Sequence, residues 1–397
     1  MITYNNSYLY IAESILRMKH HLEGWTSLHP AKKLVFLCGA RDYHAMDWYR
    51  SARLLFPRRD IMILTDLIGG EGFKKLIDHN DAVFYLFVLD SFLFKTQSKL
   101  GNYWRNLLKL VVFPIQVLLL IRFSRRYPDC IYHAHSMYYL WLACAARVKF
   151  IGTPQGSDIL IKPYRSTLYR IASGISLRRA KAVTVDSIKM ASSVREIAGV
   201  TAVVIQNGID ISAVTKVKEA MDESSKQRNV VLSIRAMTPL YRIENIVASR
   251  NHSQHCVNLS ILFIHPFYDS EYLARVCELM RESDKDLGRV NRDEMYSLLL
   301  QAKLVISIPS SDSSPRSVYE AIFCGAAVAL TYHPYIDALP ACMKARVILI
   351  DLESRSWFDD ALEAAELITQ NPFTPSNEAL DTFDQVRSFR ILDSLLA

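Results

Sequence analysis

The sequence lacks the features that mark several classes of protein. Its seven cysteines are scattered and never stand at C-x-x-C spacing, so the sequence indicates neither a disulfide framework nor a zinc ribbon. The first 21 residues lack a basic start, an apolar core and a small-residue cleavage site, so we expect no secretory signal. No G-x-G-x-x-G run opens a strand–helix unit, which disfavours a dehydrogenase. These absences predict a protein that stays in a reducing cytoplasm.

The composition predicts two globular domains. Half of the residues are apolar and 22% are charged, which disfavours disorder, and 397 residues are too many for one compact core. Residues 1–200 contain 28 Lys+Arg and 14 Asp+Glu, whereas the remainder contains 19 and 26. The basic part is expected to face an anionic partner, unless the basic residues only form a generally basic surface. Nucleic acid is disfavoured as that partner because acidic residues interrupt the basic ones and no recognised module appears.

Short β-branched or aromatic runs alternate with longer helical patterns, which is typical of parallel α/β units. The runs that we interpret as strands are 33–39, 60–66, 82–90, 130–135, 148–154, 182–187, 202–208, 230–235, 258–265, 304–310, 326–331 and 346–351. The expected domains are 1–208 and 229–375, joined by a linker at 209–228 and followed by a helical tail, 376–397, that packs back on the first domain. Ligands bind beyond the carboxyl ends of parallel strands, so the residues after each strand are the candidates for chemistry.

The most informative stretch is SIPSSDSSPRSVYEAIFCGAAVAL, at 307–330. Ser314 is suited to cap a helix, Pro315 is suited to its first position, and Gly325 is suited to end it. The pattern therefore predicts a helix over about 315–324 that follows directly on a buried strand.

The start of this helix predicts an anion site. The backbone N–H groups of Arg316 and Ser317 are expected to lack partners within the helix, and the helix dipole adds positive potential there. A phosphate would bind at such a helix start. Asp312 precedes the helix and Glu320 lies within it, so the two carboxylates are expected to flank the phosphate.

These residues resemble a family. Asp312 and Glu320 are separated by seven residues, and AIFCGAAVAL follows, which resembles the E-x7-E pair and the EAMACGxPV run of family 4 retaining GT-B glycosyltransferases. In that family the second carboxylate holds the nucleotide ribose and the first faces the transferred sugar. The resemblance implies these roles for Glu320 and Asp312, although Asp312 is one methylene shorter than the family's Glu.

Two earlier blocks resemble the family in the required order. VVIQNGIDI resembles the strand that ends in P-N-G-V-D, which implies donor contacts for Asn207 and Gly208. VVLSIRAMTPLYRIENI resembles the strand that ends in G-R-L-x-x-x-K-G, where Arg and Lys grip the diphosphate. Arg235 matches the Arg, and Arg242 is the nearest cation to the missing Lys.

A third block, GRVNRDEMYSLLLQAKLVISIPSSD, resembles the loop that contacts the nucleotide base and the helix after it. The resemblance implies a donor contact for Val290. The ordered blocks together extend over residues 130–351.

Histidine candidates lie in the predicted strand at 130–135. IYHAHSMYYLWLA resembles the family's D-v-v-H-x-H segment, whose second histidine contacts the donor sugar, so His135 is the candidate. His133 and His135 share one face of a strand, so a metal pair is the rival interpretation. No third ligand stands at useful spacing, so we expect no metal site.

Acceptor contacts are expected from two other loops of the first domain. GTPQGSDIL matches the family's T-x-H-G-x-D loop, with Gln155 in place of the His and Asp158 as the Asp. The glycine-rich first loop of the family is reduced here to CGARD, which makes Gly39, Asp42 and His44 acceptor candidates. Ordinary surface-turn positions are the alternative for Asp42 and His44.

One apolar segment bears on the partner. LLKLVVFPIQVLLLI, at 107–121, carries Pro114 at its middle and has arginines on both sides. Fifteen residues are too few to span a bilayer as a helix, which needs about 20. The segment is predicted either to lie in the membrane interface with its basic flanks toward anionic headgroups, or to be a buried core helix broken at Pro114.

The resemblance implies an α/β protein of GT-B fold, with two Rossmann-like domains whose parallel sheets face an interdomain cleft. It implies a retaining hexosyltransferase with a nucleotide sugar as co-substrate, and neither a cofactor nor a metal. The lack of a D-x-D run ahead of a predicted strand agrees with this expectation.

The basic first half and the apolar segment predict a lipid-linked glycan acceptor and peripheral contact with the inner face of the cell membrane. By resemblance, the setting is surface polysaccharide biosynthesis, such as lipopolysaccharide O-antigen or capsule. The alternatives are a non-catalytic nucleotide-sugar-binding scaffold of the same fold, or a same-fold sugar-nucleotide epimerase or phosphorylase.

Overall fold

The computed structural model of the chain describes residues 33–56, 60–69, 73, 77, 81–93, 99–206, 208–222, 228–253, 259–312 and 314–396. These residues form two compact units. The N-terminal unit contains the described residues up to Ile205 and those from Phe389 onward, and the C-terminal unit is Gln206–Ser388.

The N-terminal unit is built on a seven-stranded parallel sheet with the order β3-β2-β1-β4-β5-β6-β7. Its strands are β1 (Leu34–Leu37), β2 (Ile61–Thr65), β3 (Ala82–Tyr85), β4 (Ile131–His135), β5 (Phe150–Thr153), β6 (Ala182–Val185) and β7 (Val203–Val204). Its helices before the C-terminal segment are α1 (Tyr43–Leu55), α2 (Lys99–Arg126), α3 (Met137–Ala145), α4 (Gly156–Leu160), α5 (Lys162–Arg165), α6 (Thr167–Arg179) and α7 (Ile188–Ala198). The central strands are buried on both faces, which explains their continuous apolar runs.

The C-terminal unit repeats this arrangement with a six-stranded parallel sheet of order β10-β9-β8-β11-β12-β13. Its strands are β8 (Val230–Ser233), β9 (Ile261–Ile264), β10 (Lys285–Gly288), β11 (Ala302–Ser307), β12 (Ala327–Leu330) and β13 (Val347–Leu349). Its helices are α8 (Ile211–Ala220), α9 (Ile243–His252), α10 (Ser270–Leu279), α11 (Arg292–Gln301), α12 (Arg316–Phe323), α13 (Ala341–Lys344), α14 (Trp357–Thr369) and α15 (Asn377–Phe383). The last helix, α16 (Gln385–Leu396), follows α15.

All twelve predicted strands overlap strands of the structure, and one strand of its described part was missed. The missed strand, β10, has the sequence KDLG and pairs only with β9 at the edge of its sheet. An edge strand with exposed polar residues has no apolar run for a sequence pattern to detect.

The division into units differs from the expected domain boundaries. The expected linker at 209–228 contains helix α8, and Ile209 and Val214 belong to the core of the C-terminal unit. At the other end of the chain, Phe389 and Leu392 are buried in a core cluster of the N-terminal unit, where Phe389 packs 4.9 Å from Trp48 between ring centroids. The polar stretch around 216–228 thus includes part of a helix whose apolar side chains pack on the C-terminal core, whereas the end of the chain lies against the N-terminal unit as expected for the helical tail.

Each sheet reverses its strand order between two neighbouring strands. The reversal falls between β1 and β4 in the N-terminal unit and between β8 and β11 in the C-terminal unit. Ligands of open parallel sheets bind beyond the carboxyl ends of the strands at this point. The loops after these four strands are therefore where a site is expected in each unit.

Candidate active site

In the C-terminal unit, the loops after β8 and β11 bring Arg235 and Asp312 together. Arg235 Nη2 and the Asp312 carboxylate form an ion pair, and Arg235 Nη1 donates a hydrogen bond to Ser317 Oγ at 3.1 Å. The two strands are adjacent and parallel, so residues just beyond their carboxyl ends lie side by side. Three residues predicted separately from the sequence thus form one cluster.

The guanidinium of Arg235 is held in place on a second side. Its Cζ lies 4.7 Å from the centroid of the Tyr241 ring, a cation–π contact that the sequence analysis did not foresee. The side chain is 11% exposed, and its Nε is buried with no hydrogen-bond partner in the described part of the chain. Arg235 is therefore a cation held in a fixed position whose Nε–H can still donate a hydrogen bond to a ligand.

The helix after β11 starts one residue later than predicted. Pro315, and not Ser314, occupies the N-cap position of α12, and Ser314 Oγ instead donates to Gln206 Oε1 at 2.8 Å. The α12 N-terminus thus has an N-cap residue without a side-chain oxygen, because proline offers none to the first N–H groups. At the other end, Gly325 follows the helix with φ of +86°, as its predicted role in ending the helix requires.

The carboxylate of Glu320, on α12, is buried, and its hydrogen bonds and nearest ion-pair contacts are made through one oxygen, Oε1. Oε1 accepts from Tyr296 Oη and from Arg316 Nε, each at 3.2 Å, and lies 3.9 Å from Arg292 Nη2. Among the described residues, none donates a hydrogen bond to Oε2. Burial and the charge of Glu320 raise the pKa of Tyr296, which keeps that phenol protonated as a donor.

The sequence analysis missed Arg292 and Tyr296. They are four residues apart at the start of α11, so they lie on one face of that helix, and the Arg292 guanidinium is 5.7 Å from the Tyr296 ring centroid. The four-residue spacing was visible in the sequence, but nothing there indicated that this face meets Glu320.

The structure gives Arg242 partners other than a phosphate. Its Nε donates to the carbonyl of Ile308 at 2.7 Å, and its Nη2 donates to the carbonyl of Pro309 at 2.6 Å. Both carbonyls belong to the chain that continues beyond β11. These contacts favour a structural role in which Arg242 fixes the loop leading to Asp312.

Two other donor candidates, Gly208 and Val290, make packing contacts. Asn207 lies outside the described residues. A Cβ on Gly208 would lie 2.5 Å from the backbone N of Gln385, so glycine is needed for close packing at that point. Val290 is partly buried against the core of the C-terminal unit, which favours a packing role for its side chain.

In the N-terminal unit, two of the acceptor candidates are joined. Asp42 caps α1 by accepting from the His44 backbone N–H at 3.1 Å, and the side chain of Gln155 donates to the Asp42 carboxylate. Burial raises the pKa of Asp42 above its ordinary value. The His44 side chain is exposed, and a Cβ on Gly39 would meet Tyr139 Oη at 2.7 Å. The loops after β1 and β5 thus meet through Asp42 and Gln155.

Asp158 is a buried anchor. Its carboxylate accepts from the backbone N–H of Met137 at 2.8 Å, from Lys162 Nζ at 2.6 Å and from Tyr169 Oη at 3.1 Å. Because these groups fill much of the hydrogen-bonding capacity of the carboxylate, Asp158 holds α3, α5 and α6 together. Its part in acceptor binding stays a prediction.

His133 and His135 share a face of β4, and their ring centroids are 4.4 Å apart. His135 is buried beside Phe36 and Trp48, and its Nε2 finds no partner in the described part of the chain. Burial lowers the pKa of His135 well below its ordinary value, so the ring is neutral at physiological pH. The contact of His135 with a donor sugar stays a prediction.

The acidic residues of the one D-x-D run have protein partners. Asp284 pairs with Arg250, with Arg250 Nη1 donating to Oδ1 at 2.8 Å, and Asp286 Oδ1 lies 2.8 Å from His265 Nε2. The run overlaps β10, the strand that the sequence analysis missed. Within the described ranges, no group of three His, Cys, Asp or Glu side chains is placed to hold a metal ion.

Solved structures with the same architecture define the class of fold. HepE of Anabaena, in complex with UDP and glucose, matches the chain with a TM-score of 0.64 at 15% identity, covering 92% of this chain and 99% of HepE. Sucrose-phosphate synthase of Thermosynechococcus elongatus matches with a TM-score of 0.64 at 12% identity, covering 91% and 99%. An α,α-trehalose 6-phosphate synthase of Burkholderia multivorans matches with a TM-score of 0.61 at 11% identity, covering 92% and 98%. The chain therefore has the GT-B fold, as the sequence predicted.

The family evidence comes from a different part of the chain. Residues 95–213 match the model of Glycosyltransferase Family 4, whereas the motifs that resemble this family most clearly lie in the C-terminal half. The sequence has no match among curated proteins. The family model thus matches less than a third of the chain, and the fold of the chain is that of the solved structures above.

Proposed function

We propose that the chain is a retaining, metal-independent glycosyltransferase that moves a hexosyl group from a nucleotide sugar to a lipid-linked glycan in surface polysaccharide biosynthesis. The observation that carries the proposal is the cluster of Arg235, Asp312 and Ser317 at the start of α12. A cation, a carboxylate and a helix N-terminus at the carboxyl ends of adjacent parallel strands suit a sugar diphosphate.

The chemistry requires stabilisation of the leaving group. Negative charge develops on the nucleotide diphosphate as the bond to the anomeric carbon breaks, and groups that bind this charge more strongly in the transition state accelerate the reaction. Arg235 is fixed by Tyr241 and Ser317 and has a spare N–H, so little reorganisation is needed when the charge appears. The first N–H groups of α12, which follow Pro315, are the second source of positive potential.

The two carboxylates have different surroundings, which suits different roles. Glu320 Oε1 accepts from two donors and lies near the Arg292 guanidinium, and Oε2 is assigned to the ribose hydroxyls. Asp312 is paired with Arg235 and is assigned to the transferred sugar, close to the charge on the leaving phosphate. Retention follows if the acceptor hydroxyl attacks from the side on which the diphosphate leaves.

A transfer assay tests the proposal. Wild-type protein is incubated with labelled UDP-, GDP- and TDP-sugars and a membrane extract, with and without EDTA, and the label is followed into the lipid fraction. Transfer by the wild type, unchanged by EDTA and reduced about a hundredfold in Arg235→Ala, is expected. Arg275→Ala is the matched control, because Arg275 is an exposed arginine of the same unit that forms an ion pair with Glu244.

Two outcomes would contradict the proposal. Binding of nucleoside diphosphate without transfer to any fraction would indicate a scaffold, and conversion of the donor without a membrane extract would indicate an epimerase or a phosphorylase. Inversion at the anomeric carbon of the product, measured by the proton coupling constant in NMR, would contradict retention alone.

A further inference from the structure

Helix α2 of the N-terminal unit has apolar residues on its outward face as well as on its inward face. Its outward side chains, spaced at three and four residues, are Leu107, Leu110, Val111, Ile115 and Leu118, and Leu110 and Leu118 are 72% and 67% exposed. The inward face combines buried apolar side chains, such as Val112 and Leu120, with Lys109 and Gln116. A surface helix of a soluble protein normally has polar side chains on its outward face.

The inward polar residues of α2 are firmly bonded. Gln116 Nε2 donates to Asp66 Oδ2 at 3.1 Å, and Lys109 Nζ lies 3.5 Å from the same oxygen and 4.0 Å from the Tyr138 ring centroid. Asp66 is buried at the carboxyl end of β2. These bonds fix which face of α2 turns outward.

The sequence left open whether this segment is interfacial or a broken core helix. The helix runs unbroken through Pro114, and its part Tyr103–Arg126 is long and apolar enough to cross a membrane, with an 18-residue window of mean hydropathy 2.0. Only 17% of the apolar window is buried, so α2 is not a core helix. Crossing a membrane would break the bonds to Asp66, whereas lying in the interface keeps them.

Helix α6 also has an outward apolar face. Leu168, Ile171 and Ile175 point outward, with Leu168 81% exposed, whereas Ser173 and Ser176 are buried together with Leu177. The composition of α6 does not reveal this face, because the helix has as many polar as apolar residues. Two helices of one unit thus expose rows of apolar side chains.

Both helices lie against the same neighbour. Helix α3 packs between them, with its Tyr138 6.0 Å from Phe113 of α2 and its Trp141 5.0 Å from Tyr169 of α6, measured between ring centroids. All three helices cover the same core cluster of the N-terminal unit. The outward faces of α2 and α6 therefore belong to one side of the unit.

This side of the unit is strongly basic. Residues 99–185 contain 14 Lys+Arg and two Asp+Glu, and helices α2, α5 and α6 contain no acidic residue. The arginines cluster at the ends of the apolar faces, at Arg125 and Arg126 on α2 and at Arg178 and Arg179 on α6. An apolar face with a cationic rim matches the boundary between acyl chains and anionic headgroups.

We propose that the outward faces of α2 and α6 form one docking surface that lies in the interface of an anionic lipid bilayer. The docking surface is defined by Leu110, Ile115, Leu118, Leu168 and Ile171 with the four arginines. It deepens the proposed function, on whose membrane-bound acceptor it rests, by assigning the part of the chain that brings the enzyme to that acceptor. A second copy of the chain is a poorer occupant, because a symmetric pairing would bring two cationic rims together.

Vesicle flotation of the full chain tests the docking surface. Phosphatidylcholine vesicles are compared with vesicles of phosphatidylcholine and phosphatidylglycerol, using the wild type, Leu110→Gln/Leu118→Gln and Leu168→Gln/Ile171→Gln. Binding of the wild type to the anionic vesicles is expected, with a loss of about tenfold for each apolar side chain replaced. Arg125→Gln/Arg126→Gln is expected to lower binding to anionic vesicles about twentyfold and to leave binding to neutral vesicles unchanged.

The matched control is Leu54→Gln/Leu367→Gln. Leu54 is 81% exposed on α1, whose buried residues belong to a different core cluster, and Leu367 is exposed on α14 of the other unit. The control pair is expected to bind vesicles like the wild type. Equal losses in the control and in the α2 or α6 pairs would overturn the proposal.

Further readouts separate docking from catalysis. Transfer to a detergent-solubilised acceptor is expected to be unchanged in the α2 and α6 pairs, because neither helix carries a donor candidate. A wild type that binds vesicles but transfers no sugar would leave the docking surface standing and contradict the proposed function. A wild type that does not bind anionic vesicles, or that forms dimers which the same substitutions dissociate, would overturn the docking surface.

Discussion

Arg235 and Asp312 form an ion pair inside the C-terminal unit, although the sequence assigns one to the diphosphate and the other to the transferred sugar. The pair is mostly buried, since the two side chains are 11% and 14% exposed. A diphosphate that binds Arg235 therefore competes with Asp312 for the same guanidinium. This competition gives the two residues opposite expected effects on nucleotide binding.

Removing the charge of Asp312 is expected to tighten nucleotide binding. In Asp312→Asn the Arg235 guanidinium is released toward the phosphate, and we expect the Kd for nucleoside diphosphate to fall about tenfold, or ~1.4 kcal/mol. Arg235→Ala is expected to raise the same Kd, and both variants are expected to transfer sugar more slowly. Isothermal titration calorimetry gives both Kd values. Weaker binding in Asp312→Asn would show that the carboxylate does not compete with the ligand.

Glu320→Gln is expected to act on binding of the nucleoside. A charged carboxylate that accepts ribose hydroxyls contributes about 1.5–3 kcal/mol, so the Kd for nucleoside diphosphate should rise roughly tenfold or more. The rate at saturating donor should change little, because the ribose takes no part in bond breaking. Tyr296→Phe is the control, since it removes a donor to Oε1 and leaves Oε2 in place. An unchanged Kd in Glu320→Gln would remove the ribose role.

Arg242→Ala is expected to destabilise the protein and to leave phosphate recognition intact. Losing the charged donor to the carbonyls of Ile308 and Pro309 should lower the free energy of unfolding by about 2–3 kcal/mol. Urea unfolding measures this loss. The ratio of affinities for nucleoside diphosphate and monophosphate should match that of the wild type. A collapse of that ratio with unchanged stability would restore the phosphate role.

Gly208→Ala tests close packing in the C-terminal unit. The added Cβ would lie 2.5 Å from the Gln385 backbone N and 2.9 Å from the Phe383 carbonyl oxygen, so the free energy of unfolding should fall by about 1–3 kcal/mol. Gly156→Ala is the matched control, because a Cβ there meets nothing within 4 Å. Equal stabilities of the two variants would show that the 208 segment shifts without cost.

His133 is expected to make stability depend on pH. Burial lowers its pKa from the ordinary 6.5 to about 3, and its Nε2 is bonded to Thr153 Oγ1 at 2.7 Å. Because the pKa of His133 is lower in the folded state than in the unfolded state, the unfolded state binds a proton first as the pH falls. The free energy of unfolding is therefore highest above pH 6.5 and decreases as the pH falls toward 3. Between pH 7 and pH 5, the free energy of unfolding of the wild type should fall by about 2 kcal/mol more than that of His133→Phe. Urea unfolding measures both values. If the wild type and His133→Phe lose the same free energy of unfolding from pH 7 to pH 5, the pKa of His133 is not lowered by folding.

Much of the secondary structure was predictable because parallel strands buried on both faces must be apolar. The strand β11 and the helix after it show this, since the apolar run, Pro315 and Gly325 set their limits to within a few residues. Strand β10 was not predictable, because a polar edge strand is defined by its hydrogen bonds to β9 and not by its own side chains.

The candidate site was predictable in its members and not in its contacts. Arg235, Asp312 and Ser317 were each indicated by their positions after predicted strands, and the parallel sheet then places them together. Arg242 was assigned to phosphate by counting cations near a motif, whereas the structure bonds it to two carbonyls. Which acceptor a long side chain reaches depends on groups distant in sequence.

The sequence alone determined the order of strands and helices and the residue types at the strand ends. The reason is that apolar runs for burial and capping residues for helix ends are local features of the sequence. The tertiary structure decided which of those groups meet, as in the pairing of Arg235 with Asp312. It also decided which face of α2 turns outward, because the buried carboxylate of Asp66 binds Lys109 and Gln116, and Leu110 and Leu118 are then left exposed. The reason is that a buried charge must be satisfied wherever its partners are found, and this requirement can override the apolar pattern of a single helix.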